Sequence, residues 1–330
     1  MSNAKLRWGV ISTANIGRKA VNPAIQASSN GELLAVASRD VSRARECADS
    51  DGIPRAYGSY EELLADPDVD AVYNPLPNSL HLEWTVKAAE AGKHILCEKP
   101  LALNEAECRE MAAAAEANGV KLLEAFMYRF HPRTQRVVEM IRDGVIGELQ
   151  VMRSTFTFNL TRPENIRWDP ELGGGALMDV GCYCVNLSRT IMGAEPEEVQ
   201  GLANWPDRDV DADLSGILRF PEGMALMECA LTQERSEVFE IMGTEGSMRV
   251  ENAFLPGTDE VAIEVRRRGE PTRREMVKGA DEYVLMVEHF ADCVLNERSL
   301  RYSVDEAALN MRTIEALYRS ARNDGTPVSL

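Results

Sequence analysis

The sequence has little of what marks a disulfide-rich, metal-binding or membrane protein. Its seven cysteines are odd in number and scattered through 330 residues, which does not suit a disulfide framework. Only four histidines are present, and Cys182 and Cys184 have no second cysteine pair, so no metal-ligand spacing is found. No apolar run reaches the ~18 residues that span a bilayer. Residues 1–5 carry no apolar signal core, and we expect a cytoplasmic protein without a metal site.

Positive charge is also scarce. Lys and Arg number 36 against 53 Asp and Glu, and the net charge of -17 opposes nonspecific attraction to nucleic acid or anionic lipid. We therefore predict a small-molecule partner rather than a nucleic acid or a membrane. An anionic cofactor would need donors placed locally. The length predicts about two domains on the usual prior of ~150 residues each.

Residues 1–125 alternate strands and helices, the pattern of an α/β domain with a doubly wound parallel sheet. The strand predicted at residues 6–11 leads into a turn of small residues and a helix through about Ala27, the layout of a dinucleotide-binding turn at a helix N-terminus. Ser12 and Ala14 stand where the G-x-G-x-x-G motif has its first two glycines. A generic strand-turn-helix without a cofactor therefore remains an alternative interpretation. The cofactor candidates in the turn are Ser12, Thr13, Ala14, Asn15 and Ile16.

The next strand, predicted at residues 32–37, ends in Ser38, Arg39 and Asp40. A small hydroxyl residue followed by arginine suits the 2'-phosphate of NADP, which an acid would repel and a guanidinium can bind with two hydrogen bonds. We predict NADP over NAD, with Ser38 and Arg39 as cofactor residues. The alternative is a solvated Arg39, with Asp40 binding the ribose of NAD.

Two further strands end in polar residues followed by proline. One ends in the loop NPLPN at 74–78 and the other in EKP at 98–100. Ligands of open α/β sheets bind outside such carboxyl ends of strands. Taken alone, Glu98 and Lys99 could equally be a solvated ion pair in a turn.

After Glu124 the pattern changes to strands joined by Pro and Gly turns, which predicts a second, α+β domain at 126–330 with a large, mainly antiparallel open sheet. The terminal helices could pack back on the first domain. Helices on only one face of such a sheet leave the other face needing cover, so we expect a homodimer or a higher homo-oligomer through it. One strong helix, predicted at 176–191, follows three glycines and places Asp179 and Tyr183 at i and i+4 on one face.

These stretches, taken in order, resemble the glucose-fructose oxidoreductase and inositol dehydrogenase family (Gfo/Idh/MocA). They are NPLPN at 74–78, EKP at 98–100, EAFMYRFHP at 124–132 and GGGALMDVGCY at 173–183, and the likeness covers nearly the whole chain. The resemblance implies an N-terminal Rossmann domain that binds NAD(P) and a C-terminal domain that covers the nicotinamide. Many members have histidine in place of Tyr183; the tyrosine and the degenerate turn resemble the branch of dihydrodiol dehydrogenases and NADP-dependent xylose dehydrogenases.

The resemblance also implies roles for individual residues. Lys99 matches the catalytic lysine, and Asp179 and Tyr183 match the helix that faces the substrate. Residues beside the nicotinamide ribose are expected to be Asn74, Leu76, Asn78, His81, Glu98 and Lys99. His81 and Lys99 are also the alternative bases should Tyr183 only pack.

We predict oxidation of a sugar, an aldose at C1 to the lactone, by NADP. The reaction needs a base for the hydroxyl proton, and lowering a tyrosine pKa from ~10 to ~7 takes about 4 kcal/mol, which a dry site near an ammonium can supply. Tyr183 is then the acid/base, Lys99 its electrostatic partner and Asp179 its orienter. Sugar contacts, each of which could equally be a packing residue, are Arg129, Arg167 and Trp168. Alternative functions are dihydrodiol or carbonyl (keto-sugar) oxidoreduction, or a noncatalytic NADP-dependent sensor.

Overall fold

The computed structural model describes residues 4–206 and 209–330. Residues 1–3 of the N-terminal stretch considered above lie outside this range. The elements, in chain order, are β1 (Leu6–Ile11), α1 (Asn22–Ala27), β2 (Gly31–Ala37), α2 (Val41–Asp51), β3 (Arg55–Tyr57), α3 (Tyr60–Leu64), β4 (Ala71–Asn74), α4 (His81–Glu90), β5 (His94–Cys97), α5 (Glu105–Ala117), β6 (Leu122–Glu124), α6 (Pro132–Arg142), β7 (Leu149–Asn159), α7 (Cys182–Met192), β8 (Glu198–Asn204), β9 (Asp213–Arg219), β10 (Met224–Ala230), β11 (Thr232–Gly243), β12 (Gly246–Glu251), β13 (Val261–Arg267), β14 (Arg273–Val277), α8 (Glu282–Leu295), α9 (Val304–Ala321) and β15 (Val328–Ser329). Short π-helical segments at Gly17–Val21 and Leu177–Gly181 lead into α1 and α7.

The chain divides into two compact units. One contains the chain up to Met127 together with Asp281–Ala308, and the other contains Tyr128–Ala280 and Leu309–Leu330. The domain expected at 126–330 differs from this division because α8 packs on α1 and β1, with the Phe290 ring 5.3 Å from that of Trp8. The helix α9 begins in the first unit and continues in the second.

The first unit contains a six-stranded parallel sheet in the order β3-β2-β1-β4-β5-β6. This order is that of the Rossmann fold, in which the strand order reverses between the first and fourth strands. The helix starts follow from local capping: Ser59 accepts a hydrogen bond from the Glu62 N–H and Asn104 from the Glu107 N–H, as the S-x-x-E and N-x-x-E patterns indicate.

Parallel strands bring several polar residues to one edge of this sheet. Ser12 follows β1, Ser38 follows β2, Asn74 ends β4 and Glu98 follows β5. All four therefore lie at the carboxyl ends of neighbouring strands, around the point where the strand order reverses.

The second unit contains a nine-stranded sheet in the order β14-β13-β12-β11-β7-β10-β9-β8-β15. Its neighbours pair antiparallel except β7 and β10, which pair parallel. The predicted fold class, a doubly wound parallel sheet plus a mainly antiparallel open sheet, is thus confirmed. The strands β14 and β15 were not predicted, because β14 is a charged edge strand without apolar alternation and β15 has only two residues.

One face of the second sheet buries alternate side chains, while the other carries a groove. Along β9, Leu214 and Leu218 are buried, whereas Ile217 between them is 40% exposed. The groove has a volume of about 410 Å³ and is lined by residues of β7, β8, β9 and β10.

Among the helices of the described residues, none has both the length and the apolar character needed to span a membrane.

Candidate active site

The turn after β1 has a serine at a position whose positive φ favours glycine. Ser12 has φ 116°, and its Oγ accepts a hydrogen bond of 3.0 Å from the Ala14 N–H. This side-chain contact compensates locally for a backbone conformation that L-residues rarely adopt. Thr13 and Ala14 are partly exposed, and Asn15 and Ile16 are exposed, so the small residues at the helix start remain accessible.

The three residues that follow β2, Ser38, Arg39 and Asp40, have different surroundings. Ser38 is buried, and its N–H donates to the Tyr57 carbonyl. The Asp40 carboxylate caps α2 by accepting a 2.8 Å hydrogen bond from the Ser42 N–H. Arg39 is exposed beside Tyr60, where burial raises the pKa of the Tyr60 phenol and the guanidinium opposes that shift. Arg39 is exposed, and the Asp40 carboxylate already accepts a hydrogen bond at the start of α2. This arrangement fits binding of a 2'-phosphate by Arg39 better than binding of a ribose by Asp40.

The proline loop after β4 is held by buried side chains. Asn74 is fully buried; its side-chain oxygen accepts from the Leu76 N–H at 3.3 Å, and its amide donates to Thr85 Oγ1 at 3.4 Å. Leu76 is also buried, whereas Asn78 begins a 3₁₀ turn, Asn78–Leu80, and is partly exposed. Asn78 is therefore accessible to a ligand, whereas the buried Asn74 holds the loop in place by its hydrogen bonds.

His81 joins this loop to the segment that carries Lys99. Its ring is fully buried, with Nε2 2.8 Å from the Leu76 carbonyl and Nδ1 3.0 and 3.2 Å from the carbonyls of Pro100 and Leu101. Burial lowers the pKa of His81, and the three carbonyl contacts oppose that shift. These contacts give His81 an internal role, in place of the cofactor contact or alternative base expected from the sequence, because both ring nitrogens already face backbone oxygens.

The segment from Glu98 to Leu101 is held on two sides by carboxylates. Glu98 Oε1 accepts a 2.7 Å hydrogen bond from the Tyr73 hydroxyl, and Glu98 Oε2 lies 3.2 Å from the Lys99 N–H. Burial and the neighbouring Glu98 raise the pKa of Tyr73, which keeps it a donor. Glu124 Oε1 accepts from the Leu101 N–H at 2.8 Å. The side chain of Lys99 itself is partly exposed.

Tyr73 and Glu124 support this segment from the two neighbouring strands. Sequence reasoning gave Tyr73 no role and used Glu124 only as the first residue of the stretch at 124–132; both are fully or almost fully buried. The available signal is a polar atom in an otherwise apolar strand, since such an atom needs a buried partner.

In the second unit, Tyr183 is set among aromatic rings. It is 6% exposed, and its ring centroid lies 5.9 Å from Tyr128, 5.3 Å from Phe156 and 5.2 Å from Phe254. The Tyr128 hydroxyl donates a 2.6 Å hydrogen bond to Asn186 Oδ1. These surroundings are largely apolar and favour low hydration around the Tyr183 ring.

Asp179 and Arg167, predicted as separate site residues, form an ion pair. Arg167 Nε lies 2.5 Å from Asp179 Oδ2, with side-chain exposures of 38% and 14%. The expected i, i+4 relation between Asp179 and Tyr183 is altered, because Asp179 lies in the π-helical segment Leu177–Gly181 and Tyr183 in α7. A π turn holds more residues than an α turn, so the two side chains are not a regular α-helical pair.

The two other sugar-contact candidates lie on short turns. Arg129 is in the 3₁₀ turn Met127–Phe130, and Trp168 is in the 3₁₀ turn Ile166–Trp168 next to Arg167. Both are partly exposed. Trp168 therefore shares its turn with a residue paired to Asp179, whereas Arg129 follows the buried Tyr128 that contacts Tyr183.

Comparison with known proteins gives matches to both halves of the chain. The GFO_IDH_MocA model, described as an oxidoreductase family with an NAD-binding Rossmann fold, matches residues 6–126, and the GFO/IDH/MocA C-terminal domain model matches residues 134–249. D-xylose 1-dehydrogenase (NADP(+)) 2 from Haloferax volcanii is 39% identical over 98% of this chain and 100% of its own length. Trans-1,2-dihydrobenzene-1,2-diol dehydrogenase from Mus musculus is 36% identical over 76% of each chain.

Solved structures give the same outcome. A 3-ketoreductase from Actinomadura kijaniata, crystallised with NADP and TDP-benzene, superposes with a TM-score of 0.91 at 30% identity, covering 96% of this chain and 98% of that chain. Further structures of that ketoreductase carry a tyrosine-to-phenylalanine or a lysine-to-alanine substitution and also contain TDP-benzene and NADP.

Proposed function

Because this chain belongs to the GFO/IDH/MocA oxidoreductase family, we propose that it oxidises an aldose at C1 to the lactone and transfers the hydride to NADP. The family inferred from the sequence motifs is confirmed. The observation that supports the finer proposal is the 39% identity to an NADP-dependent xylose dehydrogenase over 98% of this chain and 100% of that protein. The chain is an oxidoreductase, and we do not carry forward the alternative of a noncatalytic sensor.

The cofactor is NADP, which when bound supplies the hydride acceptor. We assign the pyrophosphate to the turn of Ser12 to Ile16 and the 2'-phosphate to Ser38 and Arg39. The exposure of Arg39 and the capping role of Asp40 support this assignment. The nicotinamide ribose is assigned to Asn78 and the neighbouring loop backbone, with Glu98 and Lys99 beside it.

Proton transfer is assigned to Tyr183. In its phenolate form Tyr183 takes the proton of the C1 hydroxyl while the hydride leaves C1 for NADP; the electrostatic role expected of Lys99 stays a prediction from the sequence. Asp179 and Arg167, which form an ion pair, are assigned to sugar hydroxyls, because a carboxylate accepts and a guanidinium donates hydrogen bonds to hydroxyl groups. Arg129 and Trp168 are assigned to the sugar as well.

A second candidate is oxidoreduction of a dihydrodiol or a keto-sugar. The identity to the mouse dihydrodiol dehydrogenase and the likeness to the ketoreductase favour it, and the aromatic rings around Tyr183 would suit an unsaturated ring. Reduced-cofactor absorbance, followed with aldoses and with a trans-dihydrodiol in parallel, separates the two. If kcat/KM is higher for the diol than for the aldoses, the diol replaces the sugar as the proposed substrate.

The residue assignment is tested by Tyr183→Phe. General-base removal should lower the oxidative rate about 100- to 10,000-fold, and the rise in rate with pH should disappear, while NADP affinity stays nearly unchanged. The matched control is Tyr128→Phe, which removes a hydroxyl of the same aromatic cluster from Asn186 and should cost stability but keep turnover. Near wild-type turnover with the same pH profile in Tyr183→Phe would assign Tyr183 to packing and leave Lys99 as the base.

Self-association through the outer face of the second sheet is also proposed. Ile217 and Leu202, which are 40% and 60% exposed and both line the groove, support it, because large exposed apolar side chains in a groove are commonly covered by a partner. Cytoplasmic location stays an expectation from the sequence.

A further inference from the structure

A buried carboxylate lies at the start of the helix that carries Asp179 and Tyr183. Asp211 is fully buried; its Oδ2 accepts a 2.7 Å hydrogen bond from the Leu177 N–H, and its Oδ1 accepts one of 2.7 Å from the Tyr318 hydroxyl. The Asp211 backbone carbonyl accepts from the Ala176 N–H at 2.9 Å. Helix starts leave N–H groups without internal partners, and two of them are bound here by one residue.

The glycines before this helix are explained by the same contacts. Gly175 has φ 116°, and a Cβ there would lie 2.2 Å from Asp211 Oδ1 and 2.9 Å from the Tyr318 hydroxyl. A Cβ on Gly174 would lie 2.4 Å from the Arg167 carbonyl oxygen. A side chain at either position would therefore displace the contacts that define the junction.

This junction also holds the segment that carries Arg167. The Gly175 N–H donates to the Arg167 carbonyl and the Gly174 N–H to the Asp169 carbonyl, each at 2.9 Å. Both members of the Arg167–Asp179 ion pair are thus attached, within a few residues, to the backbone that Asp211 binds. A shift at the junction would move both.

We propose that Asp211 is a positioning residue for the reaction: by holding the first turn of the substrate helix, it sets the place of the Asp179 carboxylate and the Tyr183 phenol. The inference rests on the proposed function, since it gives these two groups their chemical roles. Asp211 itself does not touch the substrate.

Protonation of Asp211 should leave the junction in place. Burial raises the pKa of Asp211 to about 6, the Tyr318 hydroxyl and the Leu177 N–H oppose the shift, and Asp213 adds to it. The Cys229 thiol, from β10, also faces Asp211, and burial raises the pKa of that thiol well above its ordinary value. Below about pH 6 the carboxyl gains a proton; one oxygen can then still accept from the Leu177 N–H, and the new O–H can donate to the Tyr318 oxygen.

Two substitutions separate positioning from bulk stability. In Asp211→Asn the amide oxygen can still accept from Leu177 and the amide N–H can donate to Tyr318, so turnover and its pH profile should stay close to those of the wild type. Asp211→Ala should lower kcat about tenfold or more with NADP affinity unchanged.

A readout without turnover keeps this inference separate from the proposed function. Hydrogen exchange of the peptide containing Leu177 should rise in Asp211→Ala and stay near wild type in Asp211→Asn, with α5 as the internal reference. Unchanged exchange and unchanged kcat in folded Asp211→Ala would overturn the proposal, as would a loss of kcat in Asp211→Asn as large as that in Asp211→Ala. If exchange responds as expected but no aldose or diol is turned over by the wild type, the junction is confirmed and the proposed reaction fails.

Discussion

Replacing His81 by alanine should destabilise the first unit and weaken NADP binding. The ring contacts three buried carbonyl oxygens, those of Leu76, Pro100 and Leu101, and Lys99 precedes the last two. Burial favours the neutral ring, which carries one N–H, so alanine removes the donor from one ring nitrogen's carbonyl partners; a buried acceptor left without a donor costs about 1 to 3 kcal/mol, and loss of the ring adds a cavity. Because water can enter and some backbone can relax, we expect a loss of about 3 to 5 kcal/mol in the free energy of unfolding.

Urea unfolding followed by circular dichroism measures this change, and titration with NADP measures the effect on the loops. His81→Gln retains one donor group and should lose about half as much stability as the alanine variant. The matched control is His94→Ala: His94 lies at the other end of β5, is partly exposed, and its Nδ1 accepts one hydrogen bond from the Lys121 N–H. Equal losses for His81→Ala and His94→Ala, each near 1 kcal/mol, would refute the view that His81 joins the two loops.

Three further results are expected. Arg39→Ala should weaken NADP about 10- to 150-fold and NAD little, as cofactor titration would show; equal losses would mean that Arg39 does not bind the phosphate. Asp66→Asn should lower the free energy of unfolding by about 1 to 2 kcal/mol at pH 7. Burial favours a higher pKa for Asp66, but hydrogen bonds from Arg55 and two other groups lower it to about 2. The stabilisation is therefore present above the ordinary carboxylate pKa and is lost as the pH falls toward 2. A urea midpoint difference that persists at pH 2 would contradict this. Ile217→Glu should convert a homodimer to monomers by light scattering, with turnover as control; a wild-type monomer would contradict association.

The sequence alone determined the fold class and the edge at which the residues expected to bind the cofactor lie. Alternating apolar runs and helix caps at Ser59 and Asn104 are local signals, and the carboxyl ends of parallel strands meet at one edge whatever the loops do. Ser38, Arg39, Glu98 and their neighbours could therefore be placed at that edge without coordinates. The edge strand β14 escaped prediction because an exposed strand does not need apolar alternation.

Only the tertiary structure decided how the site residues are held. His81 read as a ligand-facing residue, yet its nitrogens bind carbonyls up to 20 positions along the chain. Arg167 and Asp179 read as independent contacts, yet they form an ion pair, and Asp211 reaches the Leu177 N–H across 34 positions. Such partners are set by packing between distant segments, and a buried polar group takes whichever partner the fold brings within hydrogen-bond distance, which spacing along the chain does not specify.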